Sequence, residues 1–176
     1  MRTYGDRCGV ARALDLVGER WALLVVRELL LGPKRFTDLR AGLPQVGPDV
    51  LSQRLRELEG AGLVARRTLD PPAAAKVYEL TSRGAQLEPV ILELGRWGSR
   101  FLLDPLATDR IDVGWAMFSL QRRFKPGWRG HGELRILDRT FSLDAGDRLK
   151  VRERPSPRPD VVVTVDPPAL RAWLTG

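Results

Sequence analysis

Two breaks, Gly32-Pro33 and the turn from Gly42 to Gly47, cut the apolar periodicity of the first 61 residues into short helices, and Gly62 ends it. Val10, Leu14 and Val17 recur at spacings of four and three, which predicts a short amphipathic helix ending near Gly18. A second helix is expected from about Arg20 to Leu31, apolar nearly all round and so central and buried. A third covers about Phe36 to Ala41, with Arg35 or Thr37 at its start and Phe36 and Leu39 pointing inward. Pro48 and Asp49 open a fourth that runs to about Ala61, proline being suited to a first-turn position. After Gly62 the pattern changes. Residues 64–69 and 76–80 read as two strands joined by a loop holding Pro71-Pro72. Thr81 or Ser82 then caps a long helix reaching Leu103.

Four helices, a hairpin and a further helix, with a short glycine-containing turn between the third and fourth, form the element order of a winged helix-turn-helix. The alternative is an α+β domain without a nucleic-acid role. The fourth helix favours the first reading. At about 100° per residue, Leu51, Leu55 and Leu58 fall on one side, and Asp49, Gln53 and Arg56 on the other, with Ser52 on its flank. Glutamine and arginine on an exposed helix can read adenine and guanine edges in the major groove. Ser52 and Arg56 can also hold phosphates. Asp49 suits the positive end of a helix dipole and joins the candidate set by position. Arg35, Thr37 and Pro48 flank the same surface, and Arg66, Arg67 and Lys76 lie on the hairpin arms. Neighbouring strand residues point to opposite faces, so Arg66 and Arg67 do not both face one partner.

Composition sets the outer limits. The chain has 176 residues, enough for one domain or two small ones. Its 29 basic and 22 acidic residues give a net charge of +7, which suits a polyanion such as DNA. The charge is spread along the chain, 16 basic against 13 acidic residues in 1–105 and 13 against 9 in 106–176, so the case for DNA rests on particular arginines. No apolar run is long enough to span a membrane, and the N-terminus shows no signal-peptide core, so a cytoplasmic protein is expected. One cysteine, Cys8, and one histidine, His131, leave no internal disulfide and no basis for a clustered Cys/His metal site. No nucleophile–base pair, phosphate-binding glycine loop or metal-ligand spacing appears, so neither an enzyme nor a cofactor is expected.

The segments Cys8 to Trp21, Trp21 to Leu30, Arg35 to Leu39 and Val50 to Leu58, then Gly62-Leu63-Val64, Tyr78 to Thr81 and Gly84, together resemble the HxlR-type transcriptional regulators. The resemblance covers residues 8–103. It implies a DNA-binding homodimer on double-stranded DNA, paired through the first and last helices of the domain. Members commonly carry a cysteine near the N-terminus that in some senses oxidants or electrophiles, and Cys8 lies at that place, although Gly9 follows it where proline is frequent. A sensor thiol is exposed with a lowered pKa, and an inert one is buried among apolar groups. Without a Lys or His beside it, Cys8 reads first as a semi-buried structural residue and second as a sensor.

Residues 104–176 form the expected second domain, with Asp104-Pro105 as hinge. A helix from Leu106 to Phe124 precedes four strands, at 133–137, 140–143, 148–151 and 161–165, with a turn at Asp144 to Asp147. A last helix runs from Asp166 to Trp173, and His131 is expected in a loop. This order, and the ending from Val163 to Gly176, resembles the sterol carrier protein type 2 superfamily, whose fold offers an apolar cleft. Trp115, Phe118, Phe124, Phe141, Leu170 and Trp173 are candidates to line it around an apolar effector, the competing reading being a small core. The whole chain is thus expected to be α+β: a winged helix-turn-helix domain (1–103), then a small α/β domain (104–176) with a mainly antiparallel sheet. The leading expectation is a regulator with an appended sensing or dimer-stabilising domain. The alternative is a lipid or small-apolar-molecule binding module in which DNA binding is secondary.

Overall fold

A computed structural model describes residues 3–70, 74–101, 113–166, 168 and 169, Trp115 by its main chain only. Its contacts divide the chain into two compact units, Met1–Ile91 and Leu92–Gly176. The division falls within a helix, before the Asp104-Pro105 hinge expected from sequence, which lies outside the described residues.

In the first unit, α1 (Gly9–Val17), α2 (Ala22–Leu30), α3 (Phe36–Gly42) and α4 (Pro48–Gly60) follow the expected order. α1 stops at Gly18, where a Cβ would stand 2.5 Å from the Leu14 carbonyl oxygen. Trp21 takes a left-handed φ of 78°, uncommon for a bulky side chain, and opens α2. α2 is central as expected: Ala22, Val25, Val26, Leu29 and Leu30 are buried, and among its apolar residues only Leu24 is exposed. Its one acidic residue, Glu28, is 1% exposed and meets Lys34 at 3.2 Å and Arg27 at 2.8 Å. Leu39 from α3 and Leu51, Leu55 and Leu58 from α4 close the core around α2. The α3–α4 turn is anchored by buried Leu43 and Val46, so the two helices are held in a fixed relation.

Gly62, at φ 69°, ends α4, and Leu63 donates its N–H back to the Leu58 carbonyl at 2.9 Å. β1 (Val64–Thr68) and β2 (Lys76–Leu80) pair antiparallel from Val64 opposite Leu80 to Thr68 opposite Lys76. Lys34 adds a third short arm through two backbone hydrogen bonds with Tyr78. The hairpin prolines, Pro71 and Pro72, lie outside the described residues. Thr81 caps the next helix by accepting the Gly84 N–H at 3.1 Å.

That helix is not continuous, contrary to the sequence expectation. α5 (Ser82–Ala85) ends after one turn and α6 (Glu88–Gly98) starts afresh, followed by a 3-10 turn at Ser99–Phe101. Pro89 explains the break: it has no N–H to give to Ala85, and its ring would crowd that carbonyl in a continuous helix.

In the second unit, α7 (Val113–Arg123) precedes β3 (Gly130–Ile136), β4 (Arg139–Ala145), β5 (Leu149–Arg152) and β6 (Val161–Val165). The sheet order is β5-β4-β3-β6; the first three strands are antiparallel, and β6 runs parallel to β3. Leu134, Ile136, Phe141, Leu149 and Val151 are buried, as are Ala116, Met117 and Phe118 on α7. A parallel partner needs a crossover, and residues 153–160 supply it. Glu133, 5% exposed, holds this segment by accepting the Ser156 N–H at 3.0 Å. Arg135 beside it, then the Ser156 amide, keep the Glu133 carboxyl below its ordinary pKa.

Three local readings are corrected here. His131 lies in β3 opposite Asp144, not in a loop, because the strand begins at Gly130. β4 continues through Asp144 to Ala145, whose side chain is buried, so the turn falls at residues 146–148. The β3–β4 connection is a two-residue turn, Leu137-Asp138, with Leu137 at φ 55°.

Candidate nucleic-acid interface

α4 presents the two faces that its spacing implies. Leu51, Leu55 and Leu58 are no more than 1% exposed, whereas Asp49, Gln53 and Arg56 are exposed and Ser52 is half-buried. Pro48 stands at the first turn after Gly47, and Asp49 adds an acidic group there. Arg35 and Thr37 are exposed at the start of α3, where the Asp38 carboxylate accepts the Arg35 N–H at 2.9 Å.

The polar face of α4 is internally ordered. Arg56 Nη2 donates to Gln53 Oε1 at 2.7 Å, and Gln53 Nε2 donates to Glu57 Oε1 at 2.7 Å. The other Glu57 oxygen accepts from Arg54 Nη1. Arg54 also faces Glu19 at 3.7 Å, and only 13% of its side chain is exposed.

The hairpin separates its two arginines as strand alternation requires. Arg66 pairs with Glu59 of α4 at 3.1 Å, and its guanidinium lies 5.2 Å from the Tyr78 ring centroid. Arg67 turns the other way, with Nε 3.0 Å from both Glu79 oxygens. Both side chains remain about half exposed, and Lys76 is exposed on the opposite arm. Such surface pairs contribute about 0–1 kcal/mol, so a phosphate can displace the carboxylate at little cost.

The sequence reading omitted Arg54, Glu57, Glu59 and Glu79. The first two were detectable, since Arg54 and Gln53 precede Glu57 by three and four residues, the spacing of helix-surface neighbours. The wing partners depend on strand register and on the approach of α4 to β1.

Cys8 differs from its expected semi-buried state. It is exposed at the N-cap of α1, and its own N–H donates to Asp6 Oδ1 at 2.9 Å. The amides of Ala11 and then Val10 hold its thiol below the ordinary pKa, which favours thiolate. Among the six proposed cleft residues, Phe141 is fully buried, Phe118 is 7% exposed and Phe124 is half-buried. Leu170, Trp173 and the Trp115 side chain lie outside the described residues.

Residues 16–105 match the family model of the HxlR-like helix-turn-helix. The chain belongs to that family. The HTH-type transcriptional regulator YvaP of Bacillus subtilis strain 168 is 37% identical over 98 residues, 56% of this chain and 90% of that protein. YodB, an HTH-type transcriptional regulator of the same organism, is 35% identical over 89 residues, 51% of this chain and 80% of that protein. Among solved structures, the redox regulator HypR in its oxidized form aligns with a TM-score of 0.50 at 33% identity. That alignment covers 56% of this chain and 100% of HypR. This HxlR-like chain is therefore a helix-turn-helix transcriptional regulator of mixed α+β structure. Its strands β3–β6 lie beyond the residues that the family model covers. Among the described residues, no helix is long and apolar enough to cross a membrane.

Proposed function

We propose that this HxlR-like protein is a homodimeric, sequence-specific regulator that reads double-stranded DNA with α4 and grips the neighbouring backbone with the β1–β2 hairpin. The observation that carries it is the α4 surface: a leucine face fixed in the core and an outward Gln53–Arg56 pair already joined by a hydrogen bond. Both side chains can form bidentate contacts to base edges in the major groove. In this reading Ser52, Arg35, Thr37, Lys76 and one of the two oppositely facing arginines, Arg66 or Arg67, hold phosphates, which position the protein without reading sequence.

Dimerisation is supported by α6. Val90, Leu94 and Trp97 follow one another at intervals of four and three and are exposed, as is Phe101 in the 3-10 turn that follows. That is the spacing of a coiled-coil seam without its partner. A second copy covers these residues.

Cys8 serves as a redox-sensing thiol in this reading. Its exposure and the two helix amides that favour thiolate support the role, as does the likeness to the redox regulator HypR. Phe118 and Phe141 are packed in the core of the second unit, which supports structural service for both. The helix and four-stranded sheet of this unit support a sterol-carrier-like role, in which it binds an apolar effector or stabilises the dimer.

The test is to let purified protein select genomic DNA and to sequence what it retains. A two-fold-symmetric motif with half-sites about one helical turn apart supports the reading. A retained pool no different from the input overturns it.

A further inference from the structure

The N-terminal unit holds a cleft of about 710 Å³ between the arm preceding α1, the α1–α2 turn and one side of α4. Pockets of roughly 300–1,000 Å³ suit drug-sized ligands. The arm is fixed in place by Asp15: this carboxylate accepts the Tyr4 N–H at 2.8 Å and the Thr3 hydroxyl at 3.1 Å. Only 4% of the Asp15 side chain is exposed, and the Tyr4 amide, its largest influence, holds the carboxyl below its ordinary pKa. Asp15 therefore stays ionised and keeps the arm against α1 as one wall.

The opposite wall is on the reading helix. Gln53, Arg54 and Glu57 line it, and Glu19 stands at the turn between the walls. The lining thus carries three carboxylates, those of Asp15, Glu19 and Glu57, and one guanidinium, that of Arg54. Glu19 and Glu57 retain 55% and 39% exposure, so both are accessible to a ligand. Leu14, Leu16 and Tyr4 supply apolar surface beside them.

We propose that this cleft binds an organic cation with an apolar body, and that its occupation draws Glu57 away from Gln53 and so changes how the reading helix engages DNA. Glu57 is the hinge of the idea, because one carboxylate both lines the cleft and accepts the Gln53 amide at 2.7 Å. Gln53 in turn holds Arg56 at 2.7 Å. An amidinium or ammonium group competes with Gln53 for Glu57, a charged donor forming the stronger bond. The freed Gln53 amide then no longer fixes the Arg56 guanidinium. The net charge of +7 favours anions over the molecule as a whole, so preference for a cation must come from this local wall. The coupling half of the proposal rests on α4 being the reading helix.

The experiment uses the full chain and three probes of nearly equal shape: biphenyl-4-carboxamidine, biphenyl-4-carboxamide and biphenyl-4-carboxylate. Calorimetric titration without DNA is expected to show one amidine site per chain. It should bind about tenfold or more tighter than the amide, and the carboxylate should show no saturable site. Glu19→Gln should lower amidine affinity about fivefold and leave the amide unaffected. Equal affinity for amidine and amide, or no saturable amidine binding by about 1 mM, overturns the cleft. DNA affinity is then measured with the amidine at saturation. A change of about fivefold or more is expected, and DNA should alter amidine affinity by the same factor. An unchanged DNA affinity overturns the coupling. A protein that binds the amidine as described but binds no DNA overturns the reading of α4, and the coupling with it, while supporting the cleft.

Discussion

Gln53 and Glu57 stand one helical turn apart on α4, joined by a 2.7 Å hydrogen bond from the Gln53 amide to the Glu57 carboxylate. The side chain best suited to read a base is therefore set in position before any DNA arrives. This lowers the ordering cost of binding, since a fixed rotamer has less freedom to lose.

Gln53→Ala and Arg56→Ala should each weaken binding to the selected motif by about 1–3 kcal/mol, with a much smaller effect on scrambled DNA. Arg66→Ala and Arg67→Ala should act differently. Because the two point to opposite faces, only the one that meets the backbone should weaken motif and scrambled DNA alike and reduce the slope of log affinity against log salt by about one. Anisotropy titrations over a salt series check both. Equal losses on both DNAs for the α4 variants would place their side chains on phosphate.

Gly84→Ala tests the packing of α5 against the wing. A Cβ there would lie 2.0 Å from the Leu63 carbonyl oxygen, a backbone atom that cannot swing aside. A loss of about 1–3 kcal/mol is expected. Chemical denaturation of the variant should show a lower midpoint with an unchanged slope. An unchanged midpoint would mean that α5 can withdraw from β1 without penalty.

Leu94→Asp places a charge in the middle of the exposed α6 seam. The dimer dissociation constant should rise tenfold or more, a change of about 1.4 kcal/mol, while circular dichroism stays unchanged. Sedimentation at micromolar concentration reads the result. A variant as dimeric as the parent would move the interface away from α6.

The Cys8 thiol should alkylate with a pH midpoint below that of an ordinary cysteine, because the Ala11 and Val10 amides favour its thiolate. Ala11→Pro removes the first of these donors at a helix position that tolerates proline. Its midpoint should move to higher pH. The rate of iodoacetamide labelling across a pH series reads the shift. Coincident profiles for parent and variant would assign the lowered pKa to another cause.

The parts legible in the sequence are those fixed by spacing within one element. Leu51, Leu55 and Leu58 announce the buried face of α4, and with it the outward place of Gln53 and Arg56. The valine run of β6 and the alternation along β3 mark strands in the same way. The break between α5 and α6 was also written there, in Pro89, but the surrounding helical pattern outweighed it. Leu137 at φ 55° carried no signal, since leucine does not advertise a left-handed turn and only the pairing of Ile136 with Arg139 imposes it. The exposure of Cys8 is not legible in the sequence, since it precedes the periodic pattern of α1 and the arm before it is held by Asp15 through contacts eleven and twelve residues away. The Arg67–Glu79 pair needs the β1–β2 register and the Arg66–Glu59 pair the approach of α4 to β1, neither of which a single element contains.

The most direct measurement of the account is the affinity of the full chain for its selected motif and for a scrambled duplex, over a salt series. Both affinities should fall steeply and in parallel as salt rises, through counterion release at the phosphates. The motif should stay tighter by a factor of about 10³ or more throughout, through the base contacts of α4. Equal affinity for the two duplexes, or affinity insensitive to salt, would contradict the reading of α4 and the hairpin as a sequence-specific DNA interface.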